Sequence, residues 1–375
     1  MIYLDNAATT FPKPLSVSEE ISKCIRQYCG NAGRGTHTLA LKSAEKIYEA
    51  RTLLANMFNA EPENVVFTCN TTYALNIAIK SSLEYTSHVL ISDIEHNSVY
   101  RPIYNLNKNK LCTYDIYNTN GNEVDILADI KSKVKANTKM LISTHLSNVG
   151  SRRLPIKAIG EFCKNNNIFF IVDGAQSAGV LDINIKEMNI NALCIPAHKG
   201  LYGPQGIGAV IFNSDLPKRT LIEGGTGVNS LDNNMPDFLP EMLEAGTLST
   251  PLIAGWCEAL KWLNTIEIEK IRRHEEDLYL TALKLLSENP KLITYEMNKS
   301  PGNALLFNVK NESPEKIAAK LNENNIAVRS GFHCSPLAHK TLKTGESGAI
   351  RISFSVFNSR SDIYYLADII NYLTK

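Results

Sequence analysis

Short apolar segments alternate with segments of helical periodicity through the first two thirds of the chain, and this alternation most restricts the fold. The apolar, strand-like runs are 65–67, 88–92, 139–144, 168–172, 192–195 and 209–212, and helical periodicity covers 44–58, 72–83 and 158–164. Strands that alternate with helices pair in parallel, and the helices cover both faces of their sheet. The pattern therefore predicts an α/β fold with a mostly parallel sheet.

The pattern changes near residue 250, where a second unit is predicted to begin. We expect a helix with two tryptophans over 252–263, a charged helix over 267–286, and a further α/β region that ends at residue 373. A chain of 375 residues is long enough for two globular domains. We therefore assign residues 16–250 to a large domain, and residues 1–15 and 251–375 to a small one.

Charge, hydropathy and cysteine content exclude several classes of protein. A formal net charge of +1 is too balanced for an electrostatic nucleic-acid binder, and no apolar run is long enough to span a bilayer. The eight cysteines are scattered and include no CxxC pair, which is typical of reduced thiols. We expect a soluble, cytoplasmic protein that binds neither nucleic acid nor membrane. Apolar neighbours in the sequence predict that five of the thiols are buried: Cys69, Cys112, Cys163, Cys194 and Cys257.

A lysine in a glycine-rich loop and an aspartate at a strand end indicate a cofactor site. Lys199 follows His198 and precedes a bend rich in glycine, and Asp173 directly follows the apolar run 168–172. A lysine amine condenses with the aldehyde of pyridoxal 5'-phosphate, and a carboxylate pairs with the ring nitrogen of that cofactor. Each residue alone also fits an ordinary role, as a surface amine or a turn-capping acid. Together they predict pyridoxal phosphate.

Other polar residues follow strand ends or open helices in the same manner. Thr71 and Thr72 open a helix, whose free N–H groups and positive dipole end suit a phosphate, although a threonine there is more often a simple cap. His96 follows the strand 88–92, where a flat imidazole can stack on a pyridine ring. Asn148 and Gln176 also follow strands, and each is a candidate donor to the ring hydroxyl or a residue that holds a turn.

One cysteine lies among polar residues. Cys334 lies between Arg329 and a proline, directly after His333, and such surroundings are typical of an exposed and reactive thiol. Zinc ligation by His333, Cys334 and His339 is an alternative, but a fourth ligand at metal-site spacing is missing, so we predict no metal. Arg351, in an alternating strand, is a candidate to clamp a substrate carboxylate.

In combination, these motifs resemble the class V aminotransferase family of fold type I pyridoxal phosphate enzymes, and within it the cysteine desulfurase and selenocysteine lyase branch. The resemblance extends over nearly the whole chain. The matching segments are 3–10, 34–37, 70–76, 95–97, 147–149, 173–176, 198–199, 224–227, 244–247 and 329–334, together with Arg351.

The resemblance implies a fold type I transferase whose small C-terminal α/β domain carries the catalytic cysteine. It also implies a homodimer with active sites at the subunit interface, and conversion of L-cysteine or L-selenocysteine to alanine. Cys334 would take the sulfur as a persulfide and pass it to a sulfur-acceptor protein. The short connection from Cys334 to Arg351 resembles the group II desulfurases. An aminotransferase would have no need of Cys334, and a scaffold protein that has lost its cofactor is the non-enzymatic alternative.

The resemblance also implies a role for each candidate residue. Lys199 would hold the cofactor and move protons, His96 would stack on the ring, Asp173 would pair with its nitrogen, and Gln176 would face its hydroxyl. Arg351 and Asn148 would receive the substrate carboxylate. The phosphate would be bound by Thr71, Thr72 and His198, and by Thr226 from the partner subunit.

Two segments depart from the family pattern. Pro196 and Ala197 stand where the family usually has a serine or threonine and then a glycine, which predicts that one hydroxyl contact to the phosphate is absent. Arg152 and Arg153 stand in a turn where relatives commonly have threonine and glycine. They fit either an acidic partner or a solvent-facing turn, and we favour solvent.

Overall fold

The computed structural model describes residues 1–33, 35–213, 217–296 and 302–375. Arg34, which belongs to the family-like segment 34–37, lies outside these residues. Of the helices within these ranges, none is long and apolar enough to cross a membrane. In chain order the elements are β1 (Ile2–Tyr3), α1 (Leu15–Gln27), α2 (Thr38–Phe58), β2 (Val65–Thr68), α3 (Thr71–Ser82), β3 (His88–Ser92), α4 (Asn97–Lys108), β4 (Thr113–Tyr117), α5 (Glu123–Lys133), β5 (Thr138–Thr144), α6 (Ile156–Asn165), β6 (Phe169–Asp173), β7 (Ala192–Pro196), β8 (Gly208–Phe212), α7 (Thr250–Thr265), α8 (Ile268–Ser287), β9 (Leu292–Tyr295), β10 (Ala304–Val309), α9 (Pro314–Glu323), β11 (Ile326–Ala327), β12 (Arg329–Gly331), α10 (Pro336–Leu342), β13 (Ala349–Ser353) and α11 (Arg360–Leu373).

The main sheet confirms the predicted mostly parallel architecture. Across the described ranges it has seven strands in the order β2-β8-β7-β6-β5-β3-β4. The strands from β7 to β4 in this order run parallel, while β8 is antiparallel to both β2 and β7. Parallel strands place their carboxyl ends at one edge, so the residues that follow β3, β5, β6 and β7 meet there. Sequence periodicity missed β4, a partly exposed edge strand in which Thr113 and Asp115 interrupt the apolar run.

Apolar packing on both faces explains why the central strands are continuously hydrophobic. In β5, Leu141 joins one core cluster, while Met140 and Ile142 join the cluster on the opposite face. The next strand, β6, repeats this arrangement, because Phe170 and Ile171 belong to opposite clusters. A strand that is buried on both faces shows no alternation of polar residues, which is typical of parallel sheets.

A second, antiparallel sheet forms the C-terminal part of the fold. Its strands are ordered β12-β13-β10-β9, and β1 pairs separately with β11. The helix α7 begins at Thr250, and its Trp256 and Leu260 belong to the same apolar core as Phe170 of the main sheet. The division into residues 16–250 and residues 1–15 with 251–375 remains a prediction.

Gly160 shows how tightly α6 packs against its surroundings. A helical glycine replaced by alanine normally gains about 1 kcal/mol in helix propensity. Here, however, a β-carbon would lie only 1.9 Å from the carbonyl oxygen of Met188. Because backbone must then move, we expect Gly160→Ala to lower the free energy of unfolding by about 2 kcal/mol. Urea unfolding would measure this loss, and Lys157→Ala at an exposed position of α6 is the control that should leave stability unchanged.

The cysteines depart from prediction at one position. Cys112, Cys163, Cys194 and Cys257 are buried, as expected, but Cys69 is exposed. Cys69 follows the last residue of β2, at the point where the chain leaves the sheet before α3. The prediction for Cys69 was therefore wrong, because apolar neighbours in sequence do not bury a residue that lies beyond the strand end.

The arginine pair after β5 also corrects a prediction. Arg153 is exposed, but Arg152 is only 5% exposed. The Arg152 guanidinium donates hydrogen bonds to the carbonyl oxygens of Thr119 and Gly121, at 2.5 and 2.6 Å. A buried guanidinium needs such acceptors, and the turn after β4 supplies them. Solvent exposure of both arginines was therefore the wrong expectation.

Candidate active site

A cavity of about 200 Å³ lies at the carboxyl ends of the parallel strands. The residues that line it come from the ends of several strands, the start of α3 and the segment between β12 and α10. Of the predicted site residues, all but Thr226 line this cavity: Thr71, Thr72, His96, Asn148, Asp173, Gln176, His198, Lys199, Cys334 and Arg351. Topology therefore brings together side chains that are up to 280 residues apart in the sequence, from Thr71 to Arg351.

Lys199 and Asp173 are a buried amine and a buried carboxyl group that both line the cavity. Burial lowers the pKa of Lys199 to about 8, and the nearby Asp173 carboxylate opposes part of this shift. Burial raises the pKa of Asp173, while the Ala175 N–H, which donates to Oδ1 at 2.9 Å, and the charge of Lys199 act against it. Gly200, which follows Lys199, packs closely against Gly179, whose φ is +83°. A β-carbon at Gly179 would lie 2.0 Å from the carbonyl oxygen of Gly200, so this position needs glycine. The fold therefore keeps this amine closer to its unprotonated form than a solvated lysine would be.

The start of α3 has the chemistry of an anion-binding site. Asn70 caps the helix, since its side chain accepts a hydrogen bond from the N–H of Tyr73 at 3.1 Å. The buried Thr71 hydroxyl and Nδ1 of His198 have no hydrogen-bond partner among the described residues, and both residues line the cavity. Unpaired buried polar atoms are costly, so their presence beside a helix N-terminus fits a phosphate. The Thr72 hydroxyl is hydrogen-bonded to that of Ser98 at 2.8 Å.

Pro196 and Ala197, which precede His198 and Lys199, provide no polar side-chain atom to the cavity. Pro196 ends β7, and Ala197 is fully buried in the apolar core. The Ala197 N–H donates to the carbonyl oxygen of Ile207 at 3.1 Å. As expected from the sequence, position 196 is a proline and has no hydroxyl to offer a phosphate.

His96 has a fixed tautomer in the cavity. Its Nδ1 accepts a hydrogen bond from the N–H of Ser98 at 3.0 Å and so caps α4. Burial, followed by the charges of Lys199, Arg329 and Arg351, lowers the pKa of His96 to about 3. The imidazole is therefore neutral and carries its proton on Nε2.

The two amide side chains are already engaged with backbone and side-chain groups. Gln176 donates through Nε2 to the carbonyl oxygen of Ala7 at 2.9 Å. Asn148 donates through Nδ2 to the carbonyl oxygen of His333 at 2.8 Å, and its Oδ1 accepts from the Ser335 hydroxyl at 2.7 Å. Both residues line the cavity as expected, but these contacts were not foreseen from the sequence. Their roles toward cofactor and substrate remain predictions.

Sequence reasoning gave no role to Asp5, which lies at the site beside Arg351. Arg351 is 1% exposed and forms an ion pair with Asp5 at 2.7 Å, with a further hydrogen bond to the carbonyl oxygen of Asn148 at 3.2 Å. Arg329 lies with Nη2 3.8 Å from Sγ of Cys334, which is exposed. The signal for Asp5 was the family-like segment 3–10, whereas the position of Arg329 five residues before the thiol had already indicated that it lies near Cys334.

The two imidazoles of the zinc alternative, those of His333 and His339, contact each other. Nδ1 of His333 and Nε2 of His339 are 3.0 Å apart, so the two imidazoles hydrogen-bond to each other. In the part of the chain that the structure describes, no group of three or more His, Cys, Asp or Glu is arranged to hold a metal ion.

Thr226 lines a different cavity, of about 560 Å³, together with residues of α2. Its predicted contact with the partner subunit's cofactor remains a prediction.

Comparisons with known proteins identify the family. The profile described as aminotransferase class-V matches residues 2–366. A probable cysteine desulfurase of Methanothermobacter thermautotrophicus is 30% identical, with 98% of this chain and 93% of that protein covered. Another, from Pyrococcus abyssi, is 31% identical, with 100% and 94% covered. The apo structure of a cysteine desulfurase from Thermococcus onnurineus NA1 superimposes with a TM-score of 0.89 at 27% identity, with 100% of this chain and 94% of that chain covered. The chain therefore belongs to the class V aminotransferase family.

Proposed function

We propose that this protein is a pyridoxal phosphate-dependent cysteine desulfurase, which converts L-cysteine to L-alanine and retains the sulfur as a persulfide on Cys334. The observation that carries the proposal is that Lys199 and Cys334 line one cavity. An amine of lowered pKa and an exposed thiol beside a guanidinium are the two groups that the reaction needs. The names of the relatives in two archaea support the same activity.

The residues of the cavity fit pyridoxal phosphate. Thr71, Thr72 and His198 would hold the phosphate at the start of α3, where two buried polar atoms lack partners among the described residues. Asp173 would pair with the ring nitrogen, His96 would lie against the ring, and Gln176 would face its hydroxyl. When bound, pyridoxal phosphate would supply an aldehyde for the substrate amine and an electron-withdrawing ring that acidifies the substrate Cα proton.

The remaining chemistry falls to side chains of this chain. Arg351 and Asn148 bind the substrate carboxylate, with Asp5 as the counter-ion of Arg351 when substrate is absent. Lys199 removes the Cα proton, because its lowered pKa leaves far more unprotonated amine near neutral pH than a solvated lysine would have. The Cys334 thiolate then attacks the substrate sulfur. An S–S bond forms, the C–S bond breaks, and the carbon that keeps the electron pair is protonated, which yields alanine and the Cys334 persulfide.

The proposal also covers the oligomeric state of the protein, its sulfur acceptor and its cellular compartment. The protein acts as a homodimer in which Thr226 contacts the phosphate in the partner subunit's site, and its position outside the cavity of its own subunit supports this arrangement. A sulfur-acceptor protein takes the persulfide sulfur from the exposed Cys334. The cytoplasm is the compartment, since each of the eight cysteines, all within the described residues, is a free thiol.

The test of this function compares the amounts of alanine and sulfide that are formed. Purified protein with pyridoxal phosphate, L-cysteine and a dithiol reductant is expected to release alanine and sulfide in equal amounts, because each turnover breaks one C–S bond. Formation of 3-mercaptopyruvate, with the amino group passed to an added keto acid and no release of sulfide, would identify an aminotransferase instead. Rates with L-selenocysteine, measured in parallel, decide between the desulfurase and a selenocysteine lyase, since both substrates present a chalcogen at the same carbon.

A further inference from the structure

The turn that carries Cys334 has an unusual backbone. His333 and Cys334 have φ values of +51° and +57°, so two consecutive residues with side chains lie in the left-handed region. This conformation is unfavourable for residues other than glycine, and it persists only where the surroundings hold it. The exposed thiol is therefore presented by backbone that other parts of the fold must support.

Hydrogen bonds from two other parts of the fold hold the backbone of this turn. The N–H of Asn97, the first residue of α4, donates to the carbonyl oxygen of Cys334 at 2.8 Å. The Asn148 amide donates to the carbonyl oxygen of His333 and accepts from the Ser335 hydroxyl. These bonds fix the backbone on either side of the thiol, while the imidazole of His333 is fixed separately.

The buried imidazoles of His333 and His339 belong to a chain of hydrogen bonds in which every donor points the same way along the chain. Nε2 of His333 lies 3.3 Å from the carbonyl oxygen of Arg329, its Nδ1 lies 3.0 Å from Nε2 of His339, and Nδ1 of His339 lies 2.8 Å from the Thr344 hydroxyl. A carbonyl oxygen only accepts, so His333 carries its proton on Nε2 and accepts at Nδ1 from His339. His339 therefore donates through Nε2 and accepts from Thr344. This order satisfies every ring nitrogen of the pair.

Burial keeps this pair neutral. His333 is 3% exposed and His339 is 2% exposed. Burial, with the charge of Arg351, lowers the pKa of His339 to about 4 and holds the pKa of His333 well below its usual range. Both rings stay neutral at neutral pH, so the direction of donation does not change. Since the chain ends at a backbone carbonyl, it supports the turn and offers no proton route to the thiol.

We propose that His339 is a positioning residue, whose Nε2–H holds His333 and thereby keeps the Cys334 turn in the conformation that sulfur transfer requires. The inference rests on the proposed function, because the reaction of Cys334 is what the turn serves. Attack on the substrate sulfur depends on the position and angle of the thiolate. The substrate carboxylate, in contrast, binds to Arg351 on β13, which is held by its ion pair with Asp5, and to Asn148, which is not part of the imidazole chain.

Two variants of His339 separate hydrogen bonding from packing. His339→Leu removes the donor and keeps a side chain of similar size, whereas His339→Gln keeps an N–H that can donate to His333. We expect His339→Leu to lower kcat for sulfide release about 10-fold to 100-fold. The KM for L-cysteine should change much less than kcat, because Arg351 keeps its ion pair with Asp5 and lies outside the imidazole chain. His339→Gln is expected to recover most of kcat.

Amide hydrogen exchange of the holoenzyme tests the same support without turnover. In His339→Leu, peptides that cover residues 330–336 are expected to exchange about tenfold faster than in the wild type. His88→Leu is the matched control, since it removes a buried imidazole bonded to Thr138 at the far end of β3 and should leave these peptides unchanged. If the chain lacks desulfurase activity, this measurement still tests the support of the turn. Unchanged exchange in His339→Leu, unchanged kcat in that variant, or an equal loss in His339→Gln would each overturn the proposal.

Discussion

Replacing Lys199 with alanine is expected to lower the rate of sulfide release from L-cysteine by about 10⁴-fold. Lys199 is the one lysine that lines the cavity in the described part of the chain. Its pKa of about 8 leaves a usable fraction of free amine near neutral pH, whereas a solvated lysine would be almost fully protonated. The measurement is sulfide and alanine production with saturating pyridoxal phosphate, so that weaker cofactor binding does not account for the loss.

Lys186→Ala is the control for this experiment. Lys186 is an exposed lysine that pairs with Glu61 at 2.8 Å and does not line the cavity, so its removal should leave turnover unchanged. Borohydride reduction followed by peptide mapping should place the pyridoxyl group on Lys199 in the wild type. Recovery of that group on another lysine, or normal turnover in Lys199→Ala, would contradict the assignment.

The part of the site that could be predicted from the sequence is the part that topology determines. The apolar runs of β3, β5, β6 and β7 are recognisable because parallel central strands are buried on both faces. Once those strands are placed, the polar residues that follow them must meet at one edge of the sheet. Asp173, His96 and Asn148 could be placed in the site for this reason.

The contacts that could not be predicted join residues far apart in the sequence. Arg152 is buried because Thr119 and Gly121 offer carbonyl oxygens about 30 residues away, and two adjacent arginines give no sign of this. The amide of Asn148 is engaged by the turn at His333, which lies 185 residues later. Residue type and position at a strand end thus predict which side chains enter the cavity, but not which partners they find there.

Replacing Cys334 with serine is expected to lower sulfide production by about 10³-fold, because a serine hydroxyl is a far poorer nucleophile toward sulfur than a thiolate. The cofactor should still bind, since none of the residues assigned to the phosphate or the ring depends on the thiol. The absorbance change that L-cysteine causes in the holoenzyme should therefore persist while sulfide release is lost. Mass analysis should find one added sulfur on Cys334 in the wild type after L-cysteine without reductant.

Cys69→Ser is the matched control, because Cys69 is also an exposed thiol but does not line the cavity. Equal losses in the two variants would indicate a general effect of thiol removal, and undiminished sulfide release from Cys334→Ser would contradict sulfur transfer to this residue. The comparison also separates the two halves of the mechanism. Lys199→Ala should stop the reaction before the Cα proton is removed, whereas Cys334→Ser should stop it after that step, because proton removal at Cα precedes attack on sulfur.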